Sequence, residues 1–159
     1  MRCILLKFFS NYKYIMNKLF NDIKLDDLNF GENNEERIYK FLCIKYPDLK
    51  RTRDNANYGR YFEFDFYNEN MFIELKTRRI NFKQYPTLMF GYNKFVKGEE
   101  LLRQNPQLKI YYLFSLNNGL YYWEHNSSPY TTKMSGRCDR GKDEFNKCIH
   151  VETKYFKKI

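Results

Sequence analysis

Two short runs, YFEFDFY at 61–67 and MFIELKT at 71–77, constrain this chain more than any other feature. Each alternates with period two, the mark of a strand whose faces differ. Phe62, Phe64 and Phe66 are predicted on one face, with Tyr61, Glu63, Asp65 and Tyr67 on the other. In the second run Met71, Ile73 and Leu75 oppose Phe72, Glu74 and Lys76. The polar separator Asn68-Glu69-Asn70 predicts a hairpin. A one-residue slip would turn one strand over, so a shared apolar side limits the register. A tight loop pairs Phe66 with Ile73 and Phe64 with Leu75, and it sets Asp65 opposite Glu74 and Glu63 opposite Lys76. Facing Cβ atoms lie roughly 4.5–5.5 Å apart, where like charges destabilise a sheet. A cation is therefore expected between Asp65 and Glu74. Mg²⁺ suits such a place, being held by one or two carboxylates with water and phosphate oxygens completing its shell. Lys76 shares the face of Glu74 and is placed to orient a water or to neutralise charge on a phosphate.

The rest of the chain supplies the elements around this hairpin. NNEERIYKFLCIKYP predicts a helix, capped by Asn33 or Asn34, apolar at Ile38, Phe41 and Leu42, and ended by Tyr46-Pro47. Leu49–Arg53 predicts a short basic strand, with a turn at DNANYG after it. Tyr92–Gln104 has helical spacing at Phe95, Leu101 and Leu102 despite the internal Gly98, and Asn105-Pro106 closes it. KIYYLFSL and LYYWEH flank Asn117-Asn118-Gly119, a strong hairpin signal. A further strand is expected near Ile149–Tyr155. The first twenty residues carry Leu5, Phe8, Phe9, Tyr12, Ile15, Met16 and Leu19 at helical spacing. The reading is a single domain: an amphipathic helix within residues 1–25, a core over 31–124, and a basic extension over 125–159.

Charge narrows the choice of partner. The formal net charge of +9 favours a polyanion or an anionic membrane surface. No run approaches the ~18 apolar residues of a membrane span. The four cysteines, Cys3, Cys43, Cys138 and Cys148, lack the paired spacing of a disulfide framework, and no secretory signal precedes them, so an intracellular setting, cytoplasmic or nuclear, is expected. Cys138, Cys148 and His150, with His125, form a loose zinc pattern whose alternative is ordinary thiols and a surface histidine.

Asp65 followed by Glu74-Leu75-Lys76 resembles the signature of the PD-(D/E)xK, or restriction-endonuclease-like, nuclease superfamily. The likeness in element order runs from Gly31 to Leu116, although Phe64 stands where that signature has Pro. It implies an α/β fold with an αβββαβ core, a mixed central sheet flanked by helices, joined here by an extra N-terminal helix and a C-terminal hairpin. It implies hydrolysis of phosphodiester bonds with Mg²⁺ or Mn²⁺, held by Asp65, Glu74 and the Leu75 carbonyl, with Lys76 on the attacking water. Glu35 is expected to join from the first helix, because it lies on the side of Ile38 and Leu42. Lys94 is the counterpart of the residue that the second helix often adds. Arg51, Arg53, Arg78, Arg79 and Lys83 are expected to contact nucleic acid, DNA rather than RNA, and a homodimer is compatible with the family. Richness in Asn, Lys, Tyr and Phe fits an AT-rich genome, viral or parasitic. The other readings are a nucleic-acid-binding module of the same fold without turnover, and a membrane-peripheral or partner-binding protein using the basic N-terminal helix.

Overall fold

A computed structural model describes residues 32–58, 61–136 and 145–159. The N-terminal amphipathic segment, Cys3 and Cys138 lie outside the described residues. Residues 35–159 form one compact unit.

The first helix, α1 (Glu32–Lys45), buries Ile38, Phe41 and Leu42, three positions that fall on one helical face. It starts earlier than the sequence suggests, so Asn33 and Asn34 lie inside the helix rather than at its cap. It stops before Pro47, and Tyr46 N–H still donates to Leu42 C=O at 2.8 Å. Among the described residues six strands make the main sheet: β1 (Lys50–Arg51), β2 (Phe66–Tyr67), β3 (Met71–Thr77), β5 (Lys109–Leu116), β6 (Gly119–Glu124) and β9 (Lys157–Lys158), adjacent in that order. Only β3 and β5 run parallel; the other neighbours are antiparallel. The crossover from β3 to β5 carries β4 (Thr87–Gly91) and then α2 (Tyr92–Gln104). A second sheet joins β4 to β8 (Phe145–Glu152), and β8 to β7 (Thr131–Gly136). The order α1, β1, β2, β3, α2, β5 is the expected αβββαβ core, so the fold is α/β with a restriction-endonuclease-like arrangement.

Both faces of the central strands are covered. Phe72, Phe64, Ile110, Tyr112 and Phe114 form one core with Leu88, Phe90, Ile149 and Val151 of the second sheet and Phe95 of α2. On the opposite face Phe66 stacks on Tyr39 of α1, with ring centroids 5.5 Å apart. Burial on both faces suits a strand with a parallel neighbour. Glu74, in the middle of β3, is consequently only 1% exposed.

The alternation over 61–67 also breaks. Only Phe66 and Tyr67 are strand, and they pair with Ile73 and Phe72 in the expected register. At Asp65 the N–H donates to Ile73 C=O at 2.9 Å, while the C=O accepts from Thr52 N–H at 3.0 Å. In a regular strand both groups of one residue point to the same neighbour, so the backbone kinks here as in a bulge. Phe64 is thereby turned to the face opposite Phe66 and packs on Phe72, with centroids 5.8 Å apart. The expected pairs Phe64–Leu75 and Glu63–Lys76 do not form; the C=O of Phe64 accepts from the Thr52 hydroxyl instead. The basic strand at 49–53 shortens for the same reason: after Arg51 the chain enters a 3-10 turn, Thr52–Asp54, that buries Thr52 against the kink. β4 was not anticipated; its Leu88 and Phe90 alternate inward, but the run is only five residues long.

Thr52 is thus the peg of the kink. Thr52→Val is expected to lower stability by about 1–3 kcal/mol, because a buried acceptor loses its donor. Thr52→Ser, which keeps the hydroxyl, should recover most of that loss in urea denaturation.

Candidate active site

The kink at Asp65 brings two carboxylates together. Since β2 ends at Phe66, the ladder position beyond Ile73 lacks a backbone partner on that side, and Asp65 fills it with its side chain: Leu75 N–H donates to Asp65 Oδ2 at 2.7 Å. N–H and C=O of a strand residue share a direction, so the Leu75 carbonyl also faces the side that β2 has vacated. Glu74 projects to the same face as Phe72 and is held by two ammonium groups. Lys76 Nζ lies 2.6 Å from Oε1, and Lys94 Nζ lies 3.2 Å from Oε2. The second contact is an ion pair without hydrogen-bond alignment, and Glu74 Oε2 has no hydrogen-bond donor among the described residues. Lys94 instead donates to the Glu63 carbonyl at 2.6 Å.

The electrostatics follow from this crowding. Burial first, and then the neighbouring Glu74 carboxylate, raise the Asp65 pKa from 3.8 to about 7, against the lowering effect of the Leu75 N–H and Lys94. Glu35 adds a smaller upward push, which places its charge within reach of Asp65. Glu35 itself pairs with Arg53 at 3.3 Å.

Every expected site residue among Asp65, Glu74, Leu75, Lys76, Glu35 and Lys94 is therefore found around one carboxylate pair. The expected nucleic-acid contacts divide. Arg53, Arg78, Arg79 and Lys83 are at the surface. Arg51 is not: its side chain is 13% exposed, pairs with Glu36 and lies over the Tyr39 ring, 4.2 Å from the centroid. The described members of the loose zinc pattern do not come together, and Cys138 lies outside the described residues. His125 spends its two nitrogens on Tyr112 and Glu99, and His150 spends its own on Thr87 and Ser135. Among the described residues no group of three or more His, Cys, Asp or Glu side chains could hold a metal. The carboxylate pair needs the backbone carbonyl and water to complete a shell. Sequence reasoning missed the Glu63 carbonyl and Thr52, whose roles arise from the kink and leave no sequence signal.

The raised Asp65 pKa has a stability consequence. Between its unfolded and folded values the native protein binds a proton that the unfolded chain does not, so stability falls as pH rises through about 7. In EDTA, Asp65→Asn is expected to be more stable than the wild type at about pH 8, with the gap closing toward about pH 5. Paired thermal melts across that range measure it, and a pH-independent gap would put the ionisation elsewhere.

Residues 31–159 match the model of a family described as "Phage putative PDDEXK endonuclease". No match was found among curated proteins or among solved structures. Among the described residues no helix is long and apolar enough to cross a membrane. The match covers most of the chain and includes the carboxylate pair, the lysines and both helices that frame them; the chain belongs to this phage family of PD-(D/E)xK endonucleases.

Proposed function

We propose that the protein is a Mg²⁺- or Mn²⁺-dependent endonuclease that hydrolyses phosphodiester bonds in DNA. The observation that carries the reading is Glu74 Oε2, a buried carboxylate oxygen without a hydrogen-bond donor, beside an Asp65 carboxylate that its surroundings push toward protonation. That oxygen is paired with Lys94 by charge alone, at 3.2 Å, so it keeps acceptor capacity for a further positive partner. Asp65, Glu74 and the Leu75 carbonyl fit a small divalent cation, a hard ion that takes oxygen ligands and keeps part of its water. Such an ion, when bound, polarises the phosphate and makes water more acidic.

The chain's own groups do the rest. Lys76 holds Glu74 by one oxygen and presents an ammonium that orients the attacking water and offsets charge developing on the phosphate. Lys94 holds the other side of Glu74 and ties α2 to the kink through Glu63 C=O. Glu35, freed from Arg53 when that arginine meets a phosphate, accepts a proton from water. Water adds to phosphorus, the bond to the leaving oxygen breaks, that oxygen takes a proton from solvent water, and Glu35 returns its own proton to solvent. Arg53, Arg78, Arg79 and Lys83 contact the backbone on either side. The net charge of +9 supports a polyanionic substrate.

Labelled linear, circular, branched and single-stranded DNA and RNA, incubated with Mg²⁺, Mn²⁺ or EDTA, test the reading. Cleavage of circular DNA with metal and none with EDTA is expected. Lys76→Ala should cut the rate by about a hundredfold or more, while retaining a metal-induced rise in melting temperature that Asp65→Asn loses. Metal-independent binding with no cleavage of any substrate would instead identify a binding module.

Replacing Arg78, Arg79 and Lys83 by Ala should weaken binding to all sequences alike. The slope of log K against log salt should flatten by up to about 0.9 per lost contact on duplex DNA. An unchanged slope would move the backbone contacts to another surface.

A further inference from the structure

Behind the carboxylate pair runs a second polar chain that the proposed reaction does not use. Tyr112, fully buried on β5, is the cross-strand neighbour of Glu74. Its hydroxyl lies 2.9 Å from His125 Nδ1 and 3.3 Å from the backbone carbonyl of Lys94. His125 Nε2 lies 2.6 Å from Glu99 Oε1, which also accepts from Asn126 Nδ2 at 2.6 Å. The rings are clamped by aromatics: Phe90 stacks on Tyr112 at 3.8 Å and Phe95 on His125 at 4.2 Å. Gly98 makes the approach of α2 feasible, since a Cβ there would stand 2.9 Å from His125 and 3.0 Å from the Tyr112 hydroxyl.

Two polar groups, Tyr112 and His125, buried in an aromatic core cost stability unless each finds a partner, and satisfied networks fix one arrangement where apolar contacts would tolerate several. The arrangement fixed here is the seating of α2. Glu99 lies five residues beyond Lys94 on that helix, so the chain from Glu99 through His125 to Tyr112 touches the helix at both points. Lys94 is also the residue whose ammonium reaches Glu74 and Glu63.

We propose that Tyr112, His125 and Glu99 are positioning residues that act through Lys94, holding its ammonium against the Glu74 carboxylate. The proposal rests on the nuclease reading for its kinetic consequence but not for its geometry. Tyr112→Phe keeps the ring and its stacking while removing the hydroxyl, so it is the central variant, and His125→Phe is a second.

Two readouts separate the proposal from the reading beneath it. The first is lysine acetylation followed residue by residue in the metal-free protein by mass spectrometry. In Tyr112→Phe, Lys94 should label at least threefold faster than in the wild type, while Lys97, one turn on, should label at an unchanged rate. Equal acceleration at both lysines would show general loosening, and no acceleration at either would show that Lys94 is held without Tyr112; each overturns the proposal. The second is a double-mutant cycle on DNA cleavage. Tyr112→Phe should lower kcat about tenfold with KM unchanged, and should cause no further loss once Lys94→Met is present. The same factor in both backgrounds would mean that Tyr112 acts elsewhere. A wild type that cleaves nothing would end the nuclease reading, and the labelling experiment would still decide the positioning role. If Tyr112→Phe does not fold, His125→Phe is held to the same two outcomes.

Discussion

A carboxylate buried in the middle of a central strand is the constraint around which the rest of this structure is arranged. Glu74 is 1% exposed, and moving an ionised carboxyl out of water costs several kcal/mol when no partner is provided. Two lysines from different elements provide it: Lys76 from the same strand and Lys94 from the helix above. Because Lys94 must reach down, α2 has to begin where it does, directly after β4, and the second sheet anchors that point through the pairing of Gly91 with Cys148. The placing of α2 is thus tied to one oxygen-rich spot on β3.

Asp65 completes the balance. With Glu74, Lys76 and Lys94 it makes two negative and two positive groups, a set that is formally neutral without any ion, and the Glu35–Arg53 pair beside it is neutral as well. The burden of holding two carboxylates close then falls on Asp65, whose pKa rises to about 7. Under the proposed function a cation and a phosphodiester arriving together would add charges of opposite sign, so neither would have to be neutralised by the site alone. This is the general logic of preorganised electrostatics, in which dipoles and charges are set by the fold before the reaction begins.

Much of this was legible in the sequence, and the part that was not has a definite cause. The period-two runs gave the register of Phe66 with Ile73 and Tyr67 with Phe72, and the turn chemistry at Asn117-Asn118-Gly119 gave the hairpin of β5 and β6. The bounds of α2 followed from Pro106 and from Phe95, Leu101 and Leu102. Alternation failed at Asp65 because the pattern of Phe62, Phe64 and Phe66 is equally served by a kinked segment in a sheet covered on both faces: Phe64 and Phe66 are both fully buried, but on opposite sides. A pattern of apolar and polar letters records burial and not direction, so a bulge between two buried faces is invisible to it. Arg51 misled for a related reason. A basic residue reads as surface, yet its stem and guanidinium lie along Tyr39 and bond to Glu36.

Lys94 shows the opposite case, where a local rule is broken in plain view. It stands in the first turn of α2, near the positive end of the helix dipole, and that turn holds no acidic residue. Local helix energetics disfavour a cation there, so the helix must recover its stability from tertiary contacts, here Glu74 and the Glu63 carbonyl. The same turn carries Tyr92, with the Lys147 ammonium 3.9 Å from its ring centroid, which concentrates positive charge at the helix start still further. Sequences tend to agree with their folds at every level except where function requires otherwise. A first turn that holds one lysine and draws a second is favoured beside negative charge, which Glu74 supplies in the fold and a phosphate backbone would supply on binding.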